Sequence, residues 1–583
     1  MDENVALQRK RIVVLAAVLA VAGLILLVRL ASWQLLPHAE IDYYAGKGQA
    51  SSISATRGSI YDATGHALVA SSVYYTLGVS PKLLTNKNKQ AYAVLLSEAF
   101  GRSPEHAVTP EAMFDLLSED ATYVVLGKDL PAQVGQSIEE LERTGQIVMD
   151  AFKMELTPSR VYPDGGLAAH VLGWLRLQTH DEDTNPAAGF YGLEERYDSE
   201  LRGVDGTWQR ISDKYGKPVL AQLEGYAPAR DGADLTLTLD RNIQFEAERI
   251  LRESNSEFKA GSATIVVLDP TSGALLAMAN LPGFLPGDRS ADRTTEVYVN
   301  RAISSLYDPG SVFTPLTLAL ALQTRVIRST DSYDDRGEMA IGNRLILNED
   351  RDPHGQTSMT QLVARSYNVG AAHLAVLLGP TRFYEGMRNF GFGSKTEIDL
   401  QHEAAGIMWV PTDSGWNMSY LGMNALGEWI SATPLQVATA YAAIANGGVL
   451  MRPYVVARMS DETGVTDTRP IAIRRVLSTE VADEVSNMLV EAVNMGMEDA
   501  MVGGYRLAGK FGTVSMPDRE GTPNQYNMVS YVGYGPVPNP RFVILVKFEQ
   551  PQEIMWERQS AEPVFARMAE YLLDYYGIPP TGQ

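Results

Sequence analysis

The strongest hydropathy pattern comes first along the chain: an uninterrupted apolar or small run over residues 12–28, directly after Arg9, Lys10 and Arg11. At 1.5 Å per residue this run makes a helix about 25 Å long. Arg29 can snorkel, and Leu30, Ala31 and Trp33 extend the run into an interface. The run is apolar on every side, so a helix buried in a soluble fold explains it poorly. It is long for the core of a cleaved signal peptide and has no clear small-x-small site after it, so residues 12–36 are expected to be an uncleaved membrane anchor. The basic cluster ahead of it predicts a cytoplasmic tail at residues 1–11, with the bulk of the chain outside the cytoplasm.

Beyond the anchor, residues 37–235 alternate short strand-like runs with helical ones. A helix is expected over 111–117, with Thr109 as its cap and Pro110 in its first turn, and a longer one over 130–144. Residues 203–206 and 227–232 are turn-rich and read as connections. From there period-2 alternation at 235–239 predicts a strand, and Asp240 can cap a helix over 241–252. Apolar runs at 263–268 and 274–279 flank Asp269-Pro270-Thr271-Ser272-Gly273 as a β-hairpin. A second hairpin is expected from 527–535 and 541–548, followed by an amphipathic helix over 565–575. Strands at both ends with helices between predict an α+β fold with one antiparallel sheet. The organisation expected is two parts, 37–235 and 236–583.

Composition narrows the function classes. The 583 residues carry a formal net charge of −21, which argues against nucleic-acid partners, since phosphate binding needs a basic surface. Cysteine is absent, which excludes disulfides, zinc–thiolate sites and a thiol nucleophile. The eight histidines show no H-E-x-x-H spacing, and no glycine-rich nucleotide loop occurs, so no metal or cofactor is expected.

The candidate chemistry is hydroxyl-based. Ser311 follows a Pro309-Gly310 turn and is expected to open an apolar helix over 311–326, where unpaired N–H groups can hold an oxyanion. Taken alone, a serine there is more often just a helix cap. A serine nucleophile needs a base one helical turn on, and Ser+3 is Thr314, whose hydroxyl cannot act as a base near neutral pH. No lysine lies between Asp308 and Arg325, so a frame slip does not supply one. Two further segments carry polar groups suited to the same site, Ser366-Tyr367-Asn368 and Lys510-Phe511-Gly512-Thr513. Strict alternation would place Phe511 and Thr513 on one strand face and Lys510 on the other.

In order, spacing and flanks these segments resemble the S-x-x-K, S-x-N and K-[ST]-G motifs of class B penicillin-binding proteins, the peptidoglycan D,D-transpeptidase family. The resemblance covers nearly the whole chain. It includes Arg57-Gly58-Ser59-Ile60-Tyr61-Asp62, Arg160-Val161-Tyr162-Pro163, Ala168-Ala169-His170-Val171-Leu172-Gly173, Gly192-Leu193-Glu194 and Thr433-Pro434-Leu435-Gln436. It departs from the family at Thr314, where the base lysine belongs, and at Phe511, where a small hydroxyl residue belongs.

The resemblance implies a non-catalytic, dimerisation-like pedestal at 37–235 and a transpeptidase-like domain at 236–583. In it Ser311 holds the nucleophile position, Ser366 relays protons, and the Asn368 amide contacts substrate backbone. Lys510 with Thr513 binds a substrate or β-lactam carboxylate, and Gly512 admits the ligand to the backbone. Phe511 could fill part of the cleft. Implied partners are the membrane, peptidoglycan stem peptide or β-lactam, a cell-wall glycosyltransferase, and elongation or division proteins. The two departures favour a catalytically impaired scaffold or regulator of peptidoglycan synthesis. The alternatives are an active transpeptidase acylated at Ser311, with Lys510 or Ser366 as substitute activator, and a stem-peptide or β-lactam sensor.

Overall fold

The computed structural model describes residues 2–35, 49–177, 187–210, 227–286, 295–516, 526–552 and 561–580. The chain forms two compact units, Met1–Ala55 with Gly203–Asp231, and Thr56–Arg202 with Gly232–Gln583.

The first unit contains the helix Asp2–Leu35. Its span Arg9–Ser32 has mean hydropathy 2.8 and none of it is buried by protein, as a helix solvated by lipid requires. Strand Gln49–Ile53 pairs antiparallel with Gly206–Arg210, and the Asp205 carboxylate accepts from the Ala55 N–H at 2.8 Å. The turn-rich segments 203–206 and 227–232 are therefore more than connections: Val204 and Arg230 bridge antiparallel.

In the second unit, the expected hairpins form the central sheet. It is fully antiparallel, in the order Leu275–Leu281, Ser262–Leu268, Phe542–Glu549, Tyr526–Gly535, Ala508–Met516. Its two faces follow from strand alternation. On one, Phe548 meets Phe258 of helix Arg241–Phe258, and Tyr531 meets Phe565 of helix Ala561–Tyr575. On the other, Tyr534 bonds Ser486 of helix Thr479–Gly496. This is the α+β arrangement expected. Asp240 caps Arg241–Phe258 by accepting from Asn242 and Ile243, and Thr109 caps Pro110–Leu117. One expectation shifts: Leu130 ends strand Val124–Leu130, and the helix runs from Ala132 to Arg143, because the ring of Pro131 keeps the preceding Leu130 out of the helical region. Strand Asp234–Leu237 lies between Ile60–Tyr61 and Val456–Asp461 in a second sheet, so the expected boundary near 235 runs through a sheet built from both parts.

Three segments far apart in sequence are tied by one carboxylate. Glu194, fully buried, receives Arg57 at 2.5 Å and Arg160 at 2.7 Å, and Arg57 also reaches Asp198 at 2.8 Å. Ser71 accepts from Arg160 and donates to the Arg57 carbonyl. Asp62, also buried, accepts from the Arg241 N–H at 3.0 Å, joining the same strand region to the first helix of the 236–583 part. Removing one partner of a buried ion pair leaves an uncompensated charge, at a cost of about 3–5 kcal/mol. Glu194→Ala is therefore expected to lower the thermal midpoint by several degrees and to cut soluble yield. A melt indistinguishable from wild type would show that the network is not structural.

Candidate functional site

The Ser311 segment is not an α-helix at its start. Gly310–Phe313 is a 3₁₀ turn, and the α-helix runs Thr314–Gln323, shorter than the expected 311–326. The Thr314 N–H closes this turn on the Ser311 carbonyl, and Thr314 is buried. The Ser311 hydroxyl is half-buried and accepts or donates no hydrogen bond among the described residues. Pro315 occupies the first α-turn, where its missing N–H costs nothing.

Close backbone approaches seat this turn. Gly310 has φ +63° and donates to the Gly427 carbonyl at 2.9 Å. A Cβ on Gly310 would stand 2.6 Å from Val514, one on Gly427 would stand 2.2 Å from the Gly310 carbonyl oxygen, and one on Gly512 would stand 2.8 Å from the Pro309 carbonyl oxygen. The Ser311 turn thus rests on edge strand Ala508–Met516, at Gly512 and Val514. From below, Tyr441 donates to the Val312 carbonyl at 2.6 Å, and Phe313 packs on Phe392.

Ser366 ends helix Met359–Arg365 in the left-handed region at φ +57°. That backbone conformation is uncommon for a residue with a side chain and clusters at functional sites. Its Oγ accepts from Lys510 Nζ at 2.5 Å. Tyr367 turns its ring onto His354, with centroids 4.2 Å apart, and His354 bonds Asp350. Asn368 opens helix Asn368–Asn389, and its amide nitrogen donates to the Leu347 carbonyl at 3.1 Å. The hydroxyl of Ser366 caps neither helix.

Lys510 is fully buried, and besides Ser366 it donates to the Phe511 carbonyl at 3.0 Å. Register pairs Phe511 with Tyr531 and Gly512 with Ser530, so alternation does put Lys510 and Phe511 on opposite faces. At the sheet edge the two side chains nonetheless meet: Nζ lies 3.4 Å from the Phe511 ring centroid, and Phe511 is 7% exposed. Thr513 is half-buried, and its backbone passes Gly310. Ser311, Thr314, Ser366, Lys510, Phe511, Gly512 and Thr513 thus belong to one connected constellation, and Asn368 is attached to it through Ser366.

Two clusters of charged groups here escaped the sequence reading. Asp308 accepts from the Trp429 N–H at 2.9 Å and from the Ser431 hydroxyl at 3.0 Å. Burial pushes its carboxyl above the ordinary value, against those hydrogen bonds. Burial and the neighbouring Asp308 push the Glu428 carboxyl up as well. Beneath Tyr307, buried Lys547 lies 4.4 Å from the ring centroid and is paired with Glu549, which also accepts from Ser262. A lysine inside the apolar run Phe542–Glu549 was the available signal for this cluster. The carboxylate pair had none, because its members are 120 residues apart in sequence (428 − 308).

Residues 263–570 match the penicillin binding protein transpeptidase domain, and residues 52–237 match the penicillin-binding protein dimerisation domain. Stage V sporulation protein D of Bacillus subtilis (strain 168) is 28% identical over 533 residues, spanning 90% of this chain and 79% of that protein. Penicillin-binding protein PbpB of Mycolicibacterium smegmatis is 30% identical over 495 residues, spanning 81% and 72%. Among solved structures, penicillin binding protein 2X from Streptococcus thermophilus superposes with a TM-score of 0.78 at 22% identity, covering 91% of this chain and 80% of that one. The chain belongs to the class B penicillin-binding proteins.

Proposed function

We propose that this protein serves peptidoglycan synthesis as a membrane-anchored scaffold or regulator that does not turn over acyl transfer. Residues 1–11 form the cytoplasmic tail, 12–36 the anchor, 37–235 the pedestal and 236–583 the transpeptidase-like head. The observation that carries this reading is Thr314, buried one turn after Ser311 at the position where a base must stand. A positioned base supplies roughly 10²- to 10⁴-fold in rate, and a nucleophile and its base act as a unit. Two features reinforce it. The Phe511 ring covers the Lys510 ammonium, the group that would receive a ligand carboxylate. Asp308 and Glu428 bring negative charge to the turn where an oxyanion would develop.

A second reading rests on one contact. Lys510 Nζ on Ser366 Oγ is the geometry of a proton relay, and it favours a working transpeptidase with a substitute activator. Labelled penicillin separates the two. The unmodified protein is expected to show no stoichiometric acylation, and Thr314→Lys alone to leave it undetectable because Phe511 still covers the Lys510 ammonium. Thr314→Lys with Phe511→Thr is expected to restore measurable acylation. Rapid labelling of the unmodified protein, abolished by Ser311→Ala, would overturn the impaired reading.

The carboxylate pair gives a pH signature. A carboxyl raised by folding binds more protons in the native than in the unfolded state. Its favourable contribution is therefore complete below the ordinary glutamate value of 4.5 and is lost as pH rises through the folded value. Glu428→Gln is expected to raise the thermal midpoint by about 1–3 °C at pH 7 and to change it little near pH 4. An equal shift at both pH values would refute a buried charge as the cause.

Orientation is tested separately. A reporter active only outside the cytoplasm, fused at the C-terminus, is expected to be active. A silent but well-expressed fusion would refute an N-terminus on the cytoplasmic side.

A further inference from the structure

Helix Arg241–Phe258 carries two stripes of side chains. One is its core face, where Ile243, Ala247, Ile250, Ser254 and Phe258 are buried. The other is Arg241, Phe245, Glu248 and Arg252, which recur at i, i+4, i+7 and i+11, the spacing of a single helix face. Phe245 of this second stripe stays out of the hydrophobic core at 49% exposure. All four line a cavity of about 440 Å³. Its other walls are segment 164–170 and the end of strand Leu275–Leu281 with the residues that follow it, of which Phe284 and Leu285 extend the apolar wall.

Charge around this cavity is only partly matched by the fold. Arg241 donates twice to Asp164, at 2.8 and 2.5 Å, and Asp164 also meets His66. Glu248 differs. Its Oε1 accepts from the Ala168 N–H and from Gln244, both at 2.8 Å, while Oε2 has no hydrogen-bond partner among the described residues. Burial pushes its carboxyl above the ordinary value, against those hydrogen bonds. Arg252 stands one turn on, in the order that favours a carboxylate–cation pair on a helix, yet it makes no ion pair or hydrogen bond among the described residues. His170, 5% exposed, lines the same cavity. A carbonyl only accepts, so its 3.0 Å bond to the Val297 carbonyl places the ring proton on Nε2 and makes Nδ1 an acceptor. No described residue donates to that Nδ1, and burial lowers the imidazole to about 4, so the ring is neutral.

We propose that this cavity binds a zwitterion of amino-acid or dipeptide size that carries an apolar side chain. The ligand ammonium pairs with Glu248 Oε2 and donates to His170 Nδ1. The ligand carboxylate takes the Arg252 guanidinium, whose fork of N–H groups matches two carboxylate oxygens. The side chain lies against Phe245, Leu281, Phe284 and Leu285. Charge decides the class of ligand. An anion alone would be repelled by Glu248, and a cation alone by Arg252; a ligand with both charges answers both. A largely buried carboxylate with one oxygen unpaired is costly, and the ligand ammonium removes that cost. The volume lies in the range of small-molecule sites. Because Glu248 also holds the Ala168 N–H, an occupied site fastens segment 164–170 to the helix. The site shares no residue with the Ser311 constellation and requires no acyl chemistry.

The test uses full-length protein in detergent, with phenylalanine and phenylalanyl-alanine as probes and calorimetric titration as the readout. Wild type is expected to bind at least one probe saturably at a single site, and the tighter of the two sets the length of the ligand. N-acetylation, which removes the probe's ammonium, and amidation, which removes its carboxylate, should each weaken binding at least tenfold. Glu248→Gln keeps an acceptor for the Ala168 N–H but removes the charge, and should also weaken binding at least tenfold. Arg252→Gln should do the same with the thermal midpoint unchanged, because Arg252 is exposed and unpaired among the described residues. Absence of saturable binding by both probes would overturn the site. So would equal binding of the N-acetylated probe, which marks a plain anion site, or full binding by a folded Arg252→Gln protein.

Discussion

The site depends on how closely three stretches of backbone approach one another. The turn at Pro309–Val312 lies against the edge strand at Gly512 and against the loop at Gly427, at separations that leave no room for a Cβ. This contact sets where the Ser311 hydroxyl stands relative to Lys510. Because the contact is backbone on backbone, it is indifferent to what the neighbouring side chains are. Thr314 and Phe511 can therefore occupy the positions of a base and a small hydroxyl residue without displacing the turn. The frame of an acyl-transfer site and its chemistry are separable here, since different atoms carry them.

A second constraint joins regions of the chain that are distant in sequence. Glu194 has no favourable state in the interior except between Arg57 and Arg160, and those arginines have none without it. Each charge would be costly if buried alone, so the network is all-or-none. Asp62 extends it to the helix that begins at Arg241. Motif segments spread over the first third of the chain are thus explained by one electrostatic requirement.

Around the cleft two charged groups are each engaged by neighbouring side chains or backbone. The Lys510 ammonium is shared between Ser366 and the ring of Phe511. Asp308 serves as a clamp for the loop at 429–431. That clamp holds Trp429 in its left-handed conformation.

Much of the fold was legible in the sequence because local patterns carry it. The apolar run at 12–28, the caps at Thr109 and Asp240 and both hairpins of the central sheet are short-range signals, and the elements formed where expected. The candidate residues were legible through motif order, and the threonine at Ser+3 was plain from the sequence alone. Three things required the tertiary structure. Alternation assigned Phe511 and Lys510 to opposite faces correctly, yet only the free edge of the sheet lets a long lysine reach round to the ring. The 3₁₀ start of the Ser311 helix comes from the glycine-mediated seating of the turn, a contact between residues that are neighbours only after folding. The Asp308–Glu428 pair joins distant segments with no shared periodicity. A linear sequence states which side chains are present and how they alternate; it does not state which surfaces come within contact distance, and at this site that distance decides the chemistry.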